Sequence, residues 1–310
     1  MNKSKLSWSG GFFDGEGYFS FSPKCPLVGI NNTNPLAISN FFEIMQNNDI
    51  EFKIIERNKT SRKAKKKRWD MYIMNKNNII KFLNNMENYI HGKKNQLFLI
   101  NNFYDEYSKK RKKYNQIVKD YHGIMKFFNQ TSNILILDKN KLIKKINDND
   151  MNFDFVEYYN KDKKNDFIKI NSFNNLDYIS GLLDAEGTVY INKRKIKNKK
   201  YHRYIPSISI VNTNKKIIQN YCSTLKNNDV AFHVQSRIDN KRNRVKWDIS
   251  VAGVKRVNNF SKLLKNRLII KNRQIDLIHK YCSLRLKDVL SKNDIGQSFK
   301  EAIEALNREN

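Results

Sequence analysis

Two acidic residues in matching surroundings are where chemistry is most legible in this chain. Glu16 lies in Gly11-Phe12-Phe13-Asp14-Gly15-Glu16-Gly17, and Glu186 in Gly181-Leu182-Leu183-Asp184-Ala185-Glu186-Gly187. Small residues at Gly10, Gly11, Ser180 and Gly181 would let two helices cross with their backbones close together, delivering the two glutamates to adjacent positions. Both would then stand at helix C-termini, where the macrodipole already disfavours negative charge, so a cation must compensate. A divalent metal is the natural one, because Mg²⁺ takes one or two carboxylates along with waters and phosphate oxygens, the chemistry of phosphodiester hydrolysis. Taken singly, an acid before glycine at a helix end is a turn or capping residue. Its duplication in matched context is what argues for chemistry. Asp14 and Asp184 read instead as local hydrogen-bonding residues that shape the helix end.

The elements that must position these acids are duplicated as well. Residues 8–18 lie over 178–188 at an offset of 170; Asn32-Thr33-Asn34 and Asn48-Asp49 match Asn212-Thr213-Asn214 and Asn228-Asp229 at 180. Trp69-Asp70 matches Trp247-Asp248 at 178, as do Lys93 and Gln96 with Lys271 and Gln274. In each copy a short apolar helix, Leu6 to Phe13 or Leu176 to Leu183, is closed by Gly17 or Gly187 as a left-handed C-cap would be. Alternating strands follow at 18–22 and 28–32, against 188–193 and 205–212. A helix is expected at 35–47 and 215–227, then strand pairs at 51–57 and 69–74, against 231–238 and 245–252. Helical stretches near 76–87 and 93–107 match 254–265 and 271–284. The fold class is therefore α+β: two pseudo-symmetric αββαββα halves, each a four-stranded antiparallel sheet with helices on one face. The expected divisions are 1–107, a connection at 108–172 with some helix in it, and 173–310, ending in a helix near 294–308.

The paired acid-tipped segments resemble the signature helix of the LAGLIDADG homing endonucleases, in the single-chain type that carries two motifs. That resemblance implies that the halves form a DNA-binding saddle and that the second acid of each motif binds metal, helped by the carbonyl of the preceding small residue. Here these are Glu16 and Glu186 with Gly15 and Ala185. Mg²⁺ is the implied ion, and Mn²⁺ or Ca²⁺ would suit the same ligands. Both acids are Glu where many members have Asp. Lys93 and Lys271 resemble the family's basic residue beside the scissile phosphate, against the plainer reading of solvated lysines. Asn34 and Asn214 match a position that orients active-site water in relatives, and an Asx-type helix cap explains them equally well. The implied activity is site-specific double-strand cleavage of a long, roughly pseudo-palindromic DNA target by a monomeric hydrolase encoded in a mobile intron. The alternatives are an intron RNA maturase and a non-catalytic DNA-binding protein of the same fold.

Composition agrees with a polyanionic partner. Lys and Arg outnumber Asp and Glu 59 to 30, a net charge of +29, which a folded chain tolerates most easily beside nucleic acid. No apolar run approaches the roughly 18 residues of a membrane span, so no membrane partner is expected. Cys25, Cys222 and Cys282 are scattered, which supports neither a disulfide framework nor a zinc finger. The first periodic apolar segment begins at Leu6, leaving no room for a targeting peptide, and Lys, Asn and Ile are heavily used, as in A/T-rich genomes. An organelle, mitochondrion or chloroplast, satisfies both observations; a bacterium or phage does too.

Alternation along the strands leaves one face of each sheet for solvent or ligand, and a two-stranded ribbon fits the major groove. The candidate base readers are Ser20, Ser22 and Asn31 in copy one, and Asn192, Ser207 and Ser209 in copy two; alternation alone leaves open which parity faces DNA. Charge gathers at the hairpin tips: Arg57, Lys59, Arg62, Lys63, Lys65, Lys66, Lys67 and Arg68 in copy one. Copy two carries Lys193, Arg194, Lys195, Lys197, Lys199, Lys200 and Arg203 in one loop, and Arg237, Lys241, Arg242, Arg244 and Lys246 in the next. A charge run is usually a solvated loop, but these fall at the same topological place in both copies. Trp69 and Trp247, preceding strands, read as core or core-edge residues; Phe12, Phe13, Leu182 and Leu183 read as core.

Overall fold

The computed structural model describes residues 2–22, 25–57, 67–109, 114–130, 171–196, 202–239, 244–287 and 294–309, and these divide into two compact units. Helix α1 (Lys3–Glu16) opens the chain. The first unit holds β1 (Gly17–Phe21), β2 (Pro26–Asn32), α2 (Pro35–Gln46), β3 (Lys53–Arg57), β4 (Arg68–Ile73), α3 (Lys76–Met86), α4 (Lys94–Lys109) and α5 (Tyr114–Gln130). The second takes residues 7–15 of α1 with α6 (Leu176–Glu186), β5 (Gly187–Lys195), β6 (His202–Asn212), α7 (Lys215–Asn227) and β7 (His233–Asp239). It is completed by β8 (Arg244–Ala252), α8 (Val254–Leu264), α9 (Asn272–Leu286) and α10 (Asp294–Glu309).

Each unit carries one four-stranded antiparallel sheet, in the orders β1-β2-β4-β3 and β5-β6-β8-β7. Period-two alternation decides which face is covered. Phe19, Phe21, Val28, Ile30, Met71 and Ile73 are buried on the first sheet's helical side, where Phe19 meets Phe82 of α3 and Phe21 meets Phe103 of α4. Val189, Ile191, Ile208, Ile210, Ile249 and Val251 do the same in the second. Tyr18, Ser20, Asn31 and Asp70, or Thr188, Asn192, Ser209 and Asp248, therefore share the opposite face. Trp69 and Trp247 lie inside β4 and β8, on the covered side. Phe12, Phe13, Leu182 and Leu183 are buried.

Matched residues outside the acid motifs have local explanations. Asp49 and Asp229 take left-handed backbone at φ 56° after α2 and α7. Ile50 N–H then returns to the Met45 carbonyl at 3.0 Å and Val230 N–H to that of Leu225 at 2.9 Å, the Schellman pattern, with an apolar pair at its closure. The left-handed cap expected at Gly17 and Gly187 is not formed. Both glycines begin strands, and Gly187 is extended at φ −77° and ψ 156°. A Cβ there would meet the Leu183 carbonyl oxygen at 2.6 Å, so crowding rather than dihedral freedom suits glycine to the place.

The repeat also reaches further than its sequence shows. Helix α5, inside the stretch expected as a connection, packs in the first unit: Tyr121 meets Phe21 with ring centroids 6.0 Å apart, and Asn129 Nδ2 donates to the Phe19 carbonyl at 3.2 Å. In the second unit Asn307 Nδ2 of α10 donates to the Val189 carbonyl at 2.9 Å. Asn129 and Asn307 are 178 apart, and Phe19 and Val189 are 170 apart, two of the three offsets of the repeat. Each helix covers the outer edge of an edge strand, whose carbonyls would otherwise face water or another chain.

Candidate functional site

Residues 7–15 of α1 cross α6 with backbones in contact, and both segments belong to the second unit. A Cβ added at Gly11 would fall on the Tyr178 carbonyl oxygen and lie 2.9 Å from Leu182 N; one added at Gly181 would fall on the Trp8 carbonyl oxygen and lie 2.9 Å from Phe12 N. These approaches are the same one, reflected through the repeat. Toward the C-terminal ends, a Cβ on Gly15 would fall on that of Ala185 and within 3.2 Å of Glu186 Cγ. Glu16 and Glu186 are the last residues of their helices, the first half-buried and the second exposed. Among the described residues no group of three or more His, Cys, Asp and Glu side chains gathers to hold a metal. Each helix end carries hard oxygen donors, a carboxylate with the adjoining carbonyl of Gly15 or Ala185, the donor type that suits a cation such as Mg²⁺ that keeps several waters.

Asp14 and Asp184 each accept a hydrogen bond from the other copy's helix, a longer reach than their position suggested. The Tyr178 hydroxyl donates to Asp14 Oδ2 at 2.8 Å, and Trp8 Nε1 donates to Asp184 Oδ2 at 2.9 Å. Tyr178 and Trp8 occupy equivalent repeat positions, so each copy's aromatic serves the other copy's aspartate. Burial, then the adjacent Asp14 charge, holds the Tyr178 phenol well above its ordinary pKa, which keeps it a donor. Burial also raises the Asp184 pKa, opposed by backbone N–H donors from Ile269 at 2.7 Å and Lys271 at 2.8 Å and by the Lys271 charge.

Lys271 closes the same corner. Its ammonium donates to the Asp184 backbone carbonyl in the last turn of α6, placing positive charge at a helix C-terminus two residues before Glu186. Lys93 stands before α4 as Lys271 does before α9; their carbonyls accept from Leu97 N–H at 3.1 Å and Ile275 N–H at 3.0 Å. Asn34 and Asn214 are helix caps. Asn34 Oδ1 accepts from Leu36 and Ala37 N–H at 2.9 and 3.2 Å, and Asn214 Oδ1 from Lys216 and Ile217 N–H at 3.0 and 3.3 Å. Each Oδ1 serves two amide donors of the first turn of α2 or α7, the helix-cap half of the expectation.

The open sheet faces sort the remaining candidates. Ser20, Asn31, Arg57 and Arg68 share the open face of the first sheet. Ser22 follows β1 and bonds locally with Cys25. Asn192, Arg194, Arg203 and Lys246 lie on the open face of the second sheet, and Arg237 is exposed on β7. Arg194 and Arg203 are directly opposed across β5 and β6, a like-charge pair that weakens a ladder unless an anion sits beside it. Ser207 and Ser209 have the right parity but are 2% and 9% exposed, so their neighbours cover them. Lys193 has the other parity: its ammonium donates to Gln297 Oε1 of α10 at 3.2 Å and lies over the Tyr204 ring, on the helical side. Lys67 pairs with Glu56 at 2.6 Å, and Lys195 is exposed at the end of β5. Lys59, Arg62, Lys63, Lys65, Lys66, Lys197, Lys199, Lys200, Lys241 and Arg242, with the side chain of Arg244, lie outside the described residues.

Sequence reasoning gave no chemical role to Asp70, which proves to be a carboxylate on the open face with Arg57 and Arg68 bonded to it. The signal was present: Asp70 alternates with Trp69 and Met71 of the covered side, and Arg68 and Arg57 share its parity on β4 and the facing strand β3.

Comparison with known proteins places this architecture. No protein-family model and no curated protein matches the sequence. Among solved structures, the chain is similar to the LAGLIDADG meganuclease I-CpaMI bound to uncleaved DNA, with a TM-score of 0.64 and 13% identity over 97% of both chains. The LAGLIDADG homing endonuclease I-LtrWI bound to target DNA gives 0.62 and 15% over 96% of both. The meganuclease I-AabMI bound to uncleaved DNA gives 0.61 and 14% over 96% of this chain and 97% of that one. The chain has the fold of the LAGLIDADG homing endonucleases, the family its paired motifs resemble.

Proposed function

We propose that the chain is a metal-dependent, site-specific DNA endonuclease that cuts both strands of a long, roughly pseudo-palindromic duplex, acts as a monomer and is encoded by a mobile intron. The observation that carries this reading is the crossing at Gly15 and Ala185, one residue before an acid on each helix. Fold alone does not establish cleavage, and a DNA-binding protein without chemistry has no need of two glutamates there.

Glu16 and Glu186, with the Gly15 and Ala185 carbonyls, would hold Mg²⁺. When bound, such an ion polarises a phosphoryl oxygen and lowers the pKa of coordinated water. The aspartates and their aromatic donors fix the helix ends, so the acids meet the phosphates without reorganisation. Lys271, held at the α6 terminus, stabilises negative charge building on one scissile phosphate, and Lys93 does so in the other half. Asn34 and Asn214 act on this site by holding the first turns of α2 and α7. Arg194 and Arg203 on the open face of the second sheet, with the chain's abundant lysines, neutralise the DNA backbone.

The test is a cleavage selection. The purified chain and Mg²⁺ are incubated with genomic or randomised duplex DNA beside the Glu16→Gln, Glu186→Gln double variant, and new ends are sequenced. Reproducible Mg²⁺-dependent ends, absent from the variant while its DNA binding persists, are expected; double-strand cutting by the variant would sink the assignment.

A further inference from the structure

Arg57 and Arg68 stand directly opposite each other on β3 and β4, on the face turned from the core. Two guanidinium groups in that register repel, yet both are drawn onto one carboxylate. Arg57 donates through Nε to Asp70 Oδ2 at 3.0 Å; Arg68 donates through Nε to Oδ1 at 2.8 Å and through Nη2 to Oδ2 at 3.1 Å. Asn31, opposite Asp70 on β2, donates its amide to Oδ1 at 3.1 Å. Asp70 is 7% exposed, whereas the Arg57 and Arg68 side chains are 51% and 52% exposed. The carboxylate is a floor, and the arginines rise past it toward solvent.

That geometry is specific to a planar, two-acceptor ligand. Anchoring by the Nε side, which in Arg68 also takes one Nη2 hydrogen, leaves the end-on N–H pair of each guanidinium for a ligand, and holding the long side chains in one pose removes rotamer freedom before any ligand arrives. A phosphate is also bound by such a fork, but its oxygens present no fixed plane and a lysine's point charge serves it too. A guanine does gain, since its O6 and N7 accept two parallel N–H groups in the major groove. Neighbouring strands are about 4.8 Å apart and successive base pairs about 3.4 Å, so two such forks reach guanines one or two pairs apart.

We propose that Arg57 and Arg68 each read one guanine in the half-site contacted by the first unit, and that Asp70 positions both. The proposal rests on the reading that the chain binds duplex DNA through this sheet face. In the second unit the matching places hold Arg237, Asp248 and Lys246. Lysine is a point charge without a fork, so the second half-site lacks the guanine preference that Arg68 confers on the first.

The experiment is a binding selection by the full chain, without Mg²⁺, from a duplex library randomised over both half-sites, run in parallel with Arg57→Lys, Arg68→Lys and Asp70→Asn. The wild-type motif is expected to hold two guanines close together. Each Arg→Lys variant keeps its charge but loses discrimination at its own position, worth about ten- to a hundredfold against the other bases, with a smaller loss of affinity for arbitrary duplex. Asp70→Asn blurs both positions together while the variant keeps its melting temperature; should it fail to fold, the lysine pair carries the test alone. A wild-type motif that survives unchanged in both lysine variants overturns the proposal and leaves DNA binding standing. Absence of any motif and of salt-sensitive duplex binding in the wild type overturns the DNA reading, and this inference with it.

Discussion

Trp8 and Asp184, 176 residues apart in the chain, are joined by a 2.9 Å hydrogen bond from the indole Nε1 to a buried carboxylate. A charged oxygen removed from water depends on such donors, and the backbone N–H groups of Ile269 and Lys271 supply the others shown. Trp8→Phe keeps an aromatic ring at the buried site while removing the donor together with the pyrrole ring that carries it. It is expected to destabilise the chain by about 1–3 kcal/mol, and Tyr178→Phe to act similarly through Asp14. Urea denaturation measures both, and an unchanged midpoint for either would show that the bond contributes nothing net.

Asp184 gives the pH profile a definite sign. Its folded pKa lies above its unfolded value, so between the two the folded state binds more protons. Its contribution to stability is present below the unfolded pKa and is lost as pH rises through the folded one. Wild type should therefore lose stability relative to Asp184→Asn as pH climbs from the ordinary carboxylate range. The comparison is read from denaturation curves of the two proteins across pH, and parallel profiles would contradict the raised pKa.

The two capping asparagines allow fold and chemistry to be separated. Asn34→Asp and Asn214→Asp preserve a side-chain acceptor for the first-turn amides, whereas the alanine variants remove it and should cost about 1 kcal/mol each. If capping is their whole contribution, the aspartate variants keep both thermal stability and cleavage. Loss of cleavage with stability retained would instead assign the amide group a part in the chemistry.

Thiol reactivity provides an inexpensive check on the second core. Burial pushes the Cys222 and Cys282 thiols up to about 12, while Cys25 is only half-buried. Because the thiolate is the reactive form, iodoacetamide at neutral pH should modify Cys25 alone in the native chain and all three residues in denaturant. Rapid native modification of Cys222 or Cys282 would mean that the helices around them open readily.

Most of the fold was legible because its determinants are local and occur twice. Period-two alternation gave both sheets, and the paired motifs located the ends of α1 and α6. What escaped depends on partners far along the chain or on neighbouring side chains. Tyr178 lies 164 residues from Asp14, and nothing near Asp14 announces a phenol. The equivalence of α5 and α10 rests on single asparagines and interchangeable apolar residues, too sparse to show as a repeat. Ser207 has the parity of a base reader, and only the side chains around it reveal that it is covered. Lys193 was grouped with its charged neighbours, although strand alternation turns it toward Gln297 instead.

The membership of α1 in the second unit also bears on how the molecule is made. A ribosome releases α1 about 170 residues before α6, and at about 5–20 residues per second it waits on the order of ten to thirty seconds for that partner. During the wait Gly11 has no α6 to cross, and Trp8 and Asp14 lack their Asp184 and Tyr178 partners, which makes the nascent chain a natural client for a chaperone that shields apolar helices. The same dependence governs attempts to split the gene between the copies: the upstream fragment would carry away Trp8, Gly11 and Asp14, whose partners lie on α6 in the downstream fragment.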